Sequence, residues 1–212
     1  MFGVRRSRSD NEPTGGRARN LESGTENVEP RTSNVEPRTS NVEPRTALSV
    51  RDERRQDIPL IRAVNRLAFE QDQEANIVDA LRANGAALLS LVAVLDNAVV
   101  GHILYSPASI GGVEGAGLGP MAVLPAYQRQ GIGSELVQTG NARLTQQGCP
   151  FIIVLGHPAF YPRFGFKPTR EIGIHCEWDV PDDVFMINIL DERRMNGVSG
   201  LARYREEFST VS

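Results

Sequence analysis

From residue 47 onward the apolar positions fall into short periodic runs, whereas the 46 residues before them carry no such pattern. Residues 48–51 read as a short strand. After Asp57, a residue type suited to a helix N-cap, Leu60, Ile61, Val64, Leu67 and Ala68 recur three and four apart and predict one buried helical stripe. Ile77, Val78 and Leu81 predict a second helix, with Gly85 placed to end it in a left-handed conformation. The runs 86–95 and 98–105 flank Asp96-Asn97, two residues that tolerate positive φ, and predict a hairpin. Gly111, Gly112, Gly115, Gly117 and Gly119 predict an interruption before the apolar run 121–124. Ile132, Leu136, Val137 and Leu144 predict a helix over 133–147, stopped by Gly148, and strands are expected at 151–155, around 164–169 and at 184–190. Strands interleaved with a few helices, one pair forming a hairpin, predict an α/β domain with a mixed sheet.

The N-terminal segment changes this picture only by exclusion. The heptapeptide Asn-Val-Glu-Pro-Arg-Thr-Ser stands at 27–33 and 34–40, and a third copy starts at Asn41. Each copy holds one proline and one apolar residue, so no coiled-coil seam can form, and residues 1–48 are expected to be a disordered tail and spacer. The expected organisation is tail 1–48, folded domain 49–190 and C-terminal extension 191–212. The chain has 23 basic and 26 acidic residues; eight and seven of these lie in the tail, so the domain is mildly acidic and no overall positive field points to nucleic acid. Two cysteines, Cys149 and Cys176, are too few for a disulfide framework, and His102, His157 and His175 lack metal-ligand spacing. No apolar run approaches the ~18 residues of a membrane span. These features together predict a cytoplasmic protein without a metal site.

The chemistry is concentrated in Met121-Ala-Val-Leu-Pro-Ala-Tyr-Gln128-Arg-Gln-Gly131-Ile-Gly133-Ser134, a strand running through a glycine-containing turn into a helix. Gly131 and Gly133 let a ligand approach the main chain, and the first free N–H groups of the helix point the same way as the positive end of its dipole. Arg129 can add a charge-assisted contact. The pattern suits a phosphate. It is not a Walker loop, because no Gly-Lys-Ser/Thr follows, and it lacks the third glycine of the dinucleotide fingerprint.

Two phrases carry a family resemblance: Gln128-Arg-Gln-Gly131-Ile-Gly133 after Ala122-Val-Leu-Pro125, and Tyr161-Pro-Arg-Phe-Gly165-Phe166 downstream. In their order and spacing they resemble the acetyl-CoA signature and the later tyrosine motif of the Gcn5-related N-acetyltransferase (GNAT) superfamily, in particular its bacterial YhbS-like subgroup. The resemblance covers about residues 49–190. It implies a central, mostly antiparallel mixed sheet flanked by helices, with acetyl-CoA as co-substrate. Met121, Ala122, Val123, Gln128, Arg129, Gln130, Gly131, Ile132, Gly133 and Ser134 would hold the coenzyme, and Tyr161 would protonate the leaving thiolate.

The implied reaction is transfer of an acetyl group to an amine acceptor by direct attack in a ternary complex, with no acceptor specified. Such an amine must lose a proton before attack. Glu70, Glu74, Glu114 or a water chain are the candidate routes, because Gly119-Pro120 stand where many relatives carry a strand glutamate. That departure favours, as the alternative, a catalytically silent acyl-CoA-binding or regulatory module. Homodimers are common among proteins of this type. Tyr161 is flanked by Pro158 and Pro162, so its helix is expected to be a single turn.

Overall fold

The computed structural model describes residues 47–211, so the repeat-bearing tail and its expected disorder lie outside the described residues. Among those residues, nine strands form a single sheet. The elements in chain order are β1 (Ser49–Asp52), α1 (Ile58–Phe69), α2 (Gln73–Ala83), β2 (Leu89–Leu95), β3 (Ala98–Ile110), β4 (Val113–Val123), α3 (Ile132–Gln146) and β5 (Phe151–Leu155). They continue with β6 (Lys167–Pro168), β7 (Ile174–Cys176), β8 (Phe185–Ile189), α4 (Glu192–Met195) and β9 (Gly200–Arg203). The sheet order is β1-β2-β3-β4-β5-β8-β6, with β9 pairing both β3 and β7. Two pairings, β4 with β5 and β7 with β9, are parallel and the others antiparallel, which is the mixed, mostly antiparallel sheet expected.

Local chemistry explains most of the element ends. Asp96 and Asn97 adopt φ of 48° and 62° between β2 and β3, the left-handed pair that matches strand twist in a two-residue hairpin. Gly85 and Gly148 follow α2 and α3 with φ of 65° and 73°. Ile132, Leu136, Val137 and Leu144 of α3 pack with Tyr105, Ala116, Leu118, Ile152 and Val154 on one face of the sheet. On the other face, α1 and α2 contribute Ile61, Val64, Ile77, Val78 and Leu81. Among the described residues no helix is long and apolar enough to cross a membrane.

Several expectations need correction. Leu60 and Leu67 are not in the α1 stripe: they are 48% and 56% exposed. The buried positions are Ile61, Val64 and Asn65, with Ala68 half-buried, because Asn65 turns inward to bond the Ile61 carbonyl and His102. The stripe is rotated by this one polar residue. Asp57 stands at the head of α1, but its carboxylate accepts from Arg51 and the Arg54 amide rather than from the helix. The glycines at 115, 117 and 119 do not interrupt the sheet. They lie inside β4, where a Cβ at Gly115 would come within 2.7 Å of the Phe151 ring and one at Gly117 within 2.6 Å of the Tyr204 ring. The absence of side chains is what lets these rings cross the strand. The expected strand 164–169 shrinks to Lys167–Pro168, preceded by a 3₁₀ turn at Tyr161–Phe164, the single turn that the flanking prolines predict. Residues 191–211 add α4, strand β9 and the buried Phe208 to the same unit.

Candidate active site

The parallel pairing of β4 with β5 covers only Ala116–Leu118 against Ile152–Val154. Beyond it β4 runs on to Val123 beside β3 alone, while β5 ends at Leu155 and the Gly156 amide turns to the Val184 carbonyl. The two strands therefore part at Leu118 and leave a slot. A bulge lies at the same point: Ile103 opposes Met121 and Tyr105 opposes Leu118, so Gly119 and Pro120 together face Leu104. Bulges of this kind redirect a strand.

The direction of the main chain along the slot follows from one hydrogen bond. The Leu124 amide donates to the Val100 carbonyl on β3, so Leu124 and Ala122 turn their polar groups to β3, and Met121 and Val123 turn theirs to the slot. The Val123 carbonyl accepts from Gln128 Nε2 at 3.0 Å, which pins the turn to the strand. Ala122 thus differs from its neighbours in the motif, since its own N–H and C=O face β3.

After a 3₁₀ turn at Pro125–Tyr127, Gln128 is extended, Arg129 has φ 60° and Gly131 has φ 88°. Gly131 is the N-cap of α3 and supplies no side-chain cap, so the amides of Ile132, Gly133 and Ser134 open the helix without an intrahelical acceptor, the first closing bond being Glu135 N to Gly131 O. Gln130 Nε2 donates to the Ala126 carbonyl, steadying the turn from within. Gln128, Arg129, Gln130 and Gly131 are exposed, Gly133 and Ser134 are half-buried, and Ile132 is buried in the core. A Cβ on Gly133 would lie 3.5 Å from the Met121 side chain and from Phe160, so the strand, the helix start and the tyrosine turn meet there.

Tyr161 stands on the α3 side of the slot. Its ring packs at 5.0 Å from Phe160 and 5.5 Å from Phe166, and it lies so tightly on Gly156 that a Cβ there would be 2.1 Å from its Cε2. The turn is tied down by Asn188 Nδ2 donating to the Phe164 carbonyl. Burial pushes the Tyr161 phenol above its ordinary range, so at neutral pH it is a proton donor and not a base. Tyr161 and the β4–α3 turn are therefore brought to one slot, as the two motifs imply.

The base candidates fare differently. Glu114 sits at the far end of β4, opposite Ser109 and seven residues from Met121, or about 23 Å along the strand. It is outside the site. Glu74 is buried at the start of α2, where Gln71 Nε2 bonds both its oxygens, and Glu70 is exposed at the left-handed end of α1.

Two groupings escaped the sequence reading. On the face opposite Tyr161, Trp178 and Phe208 each pack 5.3 Å from Tyr204, which crosses β4 at Gly117; Phe208 reaches within 3.5 Å of a Cβ at Gly119. Glycines inside a strand were the available signal. The second is a buried polar chain. Asn65 Nδ2 lies 3.2 Å from His102 Nδ1, and His102 Nε2 lies 3.0 Å from Ser90 Oγ, which donates to Glu53. Because the Ser90 proton goes to Glu53, Ser90 accepts from His102, which assigns the Nε2–H tautomer. Burial lowers the His102 pKa to about 3, so the ring is neutral. Burial raises Glu53, but hydrogen bonds from Arg82 and Ser90 and the Arg82 charge outweigh it and leave the carboxyl below its usual value.

Comparison with known proteins identifies the family and the fold. A family model described as an acetyltransferase (GNAT) domain matches residues 87–168. The uncharacterised N-acetyltransferase YhbS of Escherichia coli K12 is 36% identical over 163 residues, 76% of this chain and 98% of that protein. The crystal structure of E. coli YhbS in complex with CoA superposes with a TM-score of 0.75 at 35% identity, over 79% of this chain and 94% of that one. A GNAT acetyltransferase from Brucella melitensis in complex with acetyl-CoA gives a TM-score of 0.64 at 37% identity, over 77% and 99%.

Proposed function

Because the chain belongs to the GNAT family of acetyltransferases, we propose that it moves an acetyl group from acetyl-CoA to an amine acceptor, with the slot between β4 and β5 as the place of reaction. The observation that carries this reading is the conjunction of an open β4 edge with an uncapped α3 N-terminus at one end of the slot. A diphosphate fits the amides from Gln128 to Ser134, where backbone donors and the helix dipole act on the same charge. Arg129, exposed beside them, adds a cation. The pantetheine amides then pair with Met121 and Val123 as an added strand would.

The chemistry asked of the protein is small. The Met121 amide donates to the thioester oxygen as negative charge builds there during attack. Tyr161 gives its proton to the departing sulfur. No side chain has to form a covalent intermediate, so acceptor and coenzyme are bound together. Cytoplasmic residence fits two unpaired, half-buried cysteines, Cys149 and Cys176.

The test is release of free thiol from acetyl-CoA in the presence of a panel of amines. The proposal expects amine-dependent release, and Tyr161→Phe is expected to retain coenzyme affinity while losing about 10²-fold in turnover. Coenzyme binding without amine-dependent thiol release would favour a silent binding module instead.

A further inference from the structure

We propose that Tyr204 is a second phenol at the coenzyme sulfur, reaching the slot from the face of the sheet opposite Tyr161, so that the departing thiolate is held between two hydroxyls. This rests on the function proposed above and adds a catalytic residue from outside both motifs.

The placement follows from the main chain on either side of the slot. Gly117 pairs with Ile153, one step before the last β4–β5 partners, Leu118 and Val154. The Tyr204 ring lies on Gly117 closely enough that a Cβ there would be 2.6 Å from its Cε1. Tyr161 does the same at Gly156, the residue after β5 ends. The two rings sit on opposite faces: Tyr161 packs in the core beneath α3, and Tyr204 packs against the clusters of the other face. Both side chains therefore close on the point where the strands part.

Tyr204 is held there firmly. Trp178 and Phe208 flank its ring, and its backbone amide donates to Glu177 Oε1 at 2.7 Å. Its hydroxyl is buried with the Leu155 backbone as a weak donor beside it, and no acceptor takes its proton at ordinary hydrogen-bond geometry. A buried hydroxyl left in that state is destabilising, and a phenylalanine would fill the same space without the penalty. A ligand atom entering the slot supplies the missing acceptor. The titratable groups whose charge acts on this hydroxyl are Cys176, Tyr161 and Glu177. Burial, together with these neighbours, keeps Tyr204 protonated and therefore a donor.

In the proposed step the amine nitrogen forms a bond to the carbonyl carbon, and the carbon–sulfur bond breaks with its electron pair remaining on sulfur. Tyr161 transfers its proton to that sulfur to give the CoA thiol. The proton lost by the attacking nitrogen passes to solvent, and solvent reprotonates the Tyr161 phenolate. Tyr204 donates a hydrogen bond to the sulfur throughout and keeps its own proton.

The experiment uses the full chain with CoA itself and needs no acceptor. The ultraviolet absorbance of the thiolate, taken as a difference from protein alone, is followed against pH for free and bound CoA. Bound CoA is expected to titrate at least about one unit below free CoA, a tenfold or larger bias toward thiolate. In Tyr204→Phe the titration should move back toward that of free CoA, with melting temperature equal to or above that of the natural chain and, by linkage, CoA affinity unchanged at pH values where the sulfur is a thiol and lower where it is a thiolate. In Tyr161→Phe part of the lowering should persist, because Tyr204 still donates; this arm decides the matter even if Tyr204→Phe does not fold. An unchanged titration in Tyr204→Phe, or a Tyr161→Phe protein whose bound thiol titrates like free CoA, overturns the role of Tyr204 and leaves the proposed acetyltransferase standing. Absence of CoA binding to the natural chain removes both.

Discussion

Replacing Gly156 by alanine should separate catalysis from coenzyme binding. A Cβ at this position would lie 2.1 Å from Tyr161 Cε2 and 2.6 Å from Cδ2. Restoring an ordinary carbon–carbon contact of ~3.5 Å requires the ring to retreat by about 1.4 Å. It cannot do so freely, since Phe160 and Phe166 pack against it at 5.0 and 5.5 Å. Overpacking of this kind costs about 1–3 kcal/mol. For a domain of this size the melting temperature should fall by about 3–10 °C. A reacting group displaced by ~1 Å can cost ~10²-fold in rate, so turnover should fall by about that factor. The diphosphate cradle at Gln128 to Ser134 belongs to a different turn, so coenzyme affinity measured by calorimetry should change less than threefold. Turnover within twofold of the natural chain would refute the reasoning, as would an affinity that falls in step with turnover.

Two further predictions concern the fold. With a folded-state pKa of about 3 against ~6.5 when unfolded, His102 contributes stability that is intact above pH 6.5 and is lost as the pH falls toward 3, because only the unfolded chain takes up the proton. Urea denaturation between pH 6.5 and 4.5 should show a loss of about 2 kcal/mol, the slope steepening toward ~1.4 kcal/mol per pH unit, that His102→Gln largely abolishes; a flat profile in the natural chain would contradict a neutral, buried imidazole. The double substitution Leu60→Gln, Leu67→Gln should change stability by no more than about 1 kcal/mol in chemical denaturation, each being a surface change of about ±0.5 kcal/mol, whereas a loss above ~4 kcal/mol would restore these leucines to the core.

What the sequence could and could not reveal divides along the distance between partners. The β4–α3 turn was legible because Gly131, Gly133 and the helix behind them are neighbours in the chain and their conformational demands are local. The same holds for the Asp96-Asn97 hairpin. Tyr161 was legible only through its motif, since its ring is positioned by Gly156 and Phe166 together. The α1 stripe was misread because hydrophobicity alone favours Leu60 and Leu67 over Asn65, and only contact with His102 on β3 rewards burying an amide. Tyr204 was missed because it stands 87 positions after the glycine it covers, in a segment whose four-residue strand, Gly200–Arg203, carries too short a pattern to read. The chain from Asn65 through His102 and Ser90 to Glu53 draws on four separate elements or loops and has no linear signature.

The central claim is that main-chain amides at the start of α3 receive the coenzyme's diphosphate, and amide chemical shifts of the ¹⁵N-labelled full chain titrated with CoA test it most directly. The largest saturable shifts should fall on the amides from Arg129 to Ser134, with Met121 and Val123 following, and CoA lacking its sulfur should reproduce the first group. Saturable binding that leaves those amides unmoved, or no binding at all, would contradict it.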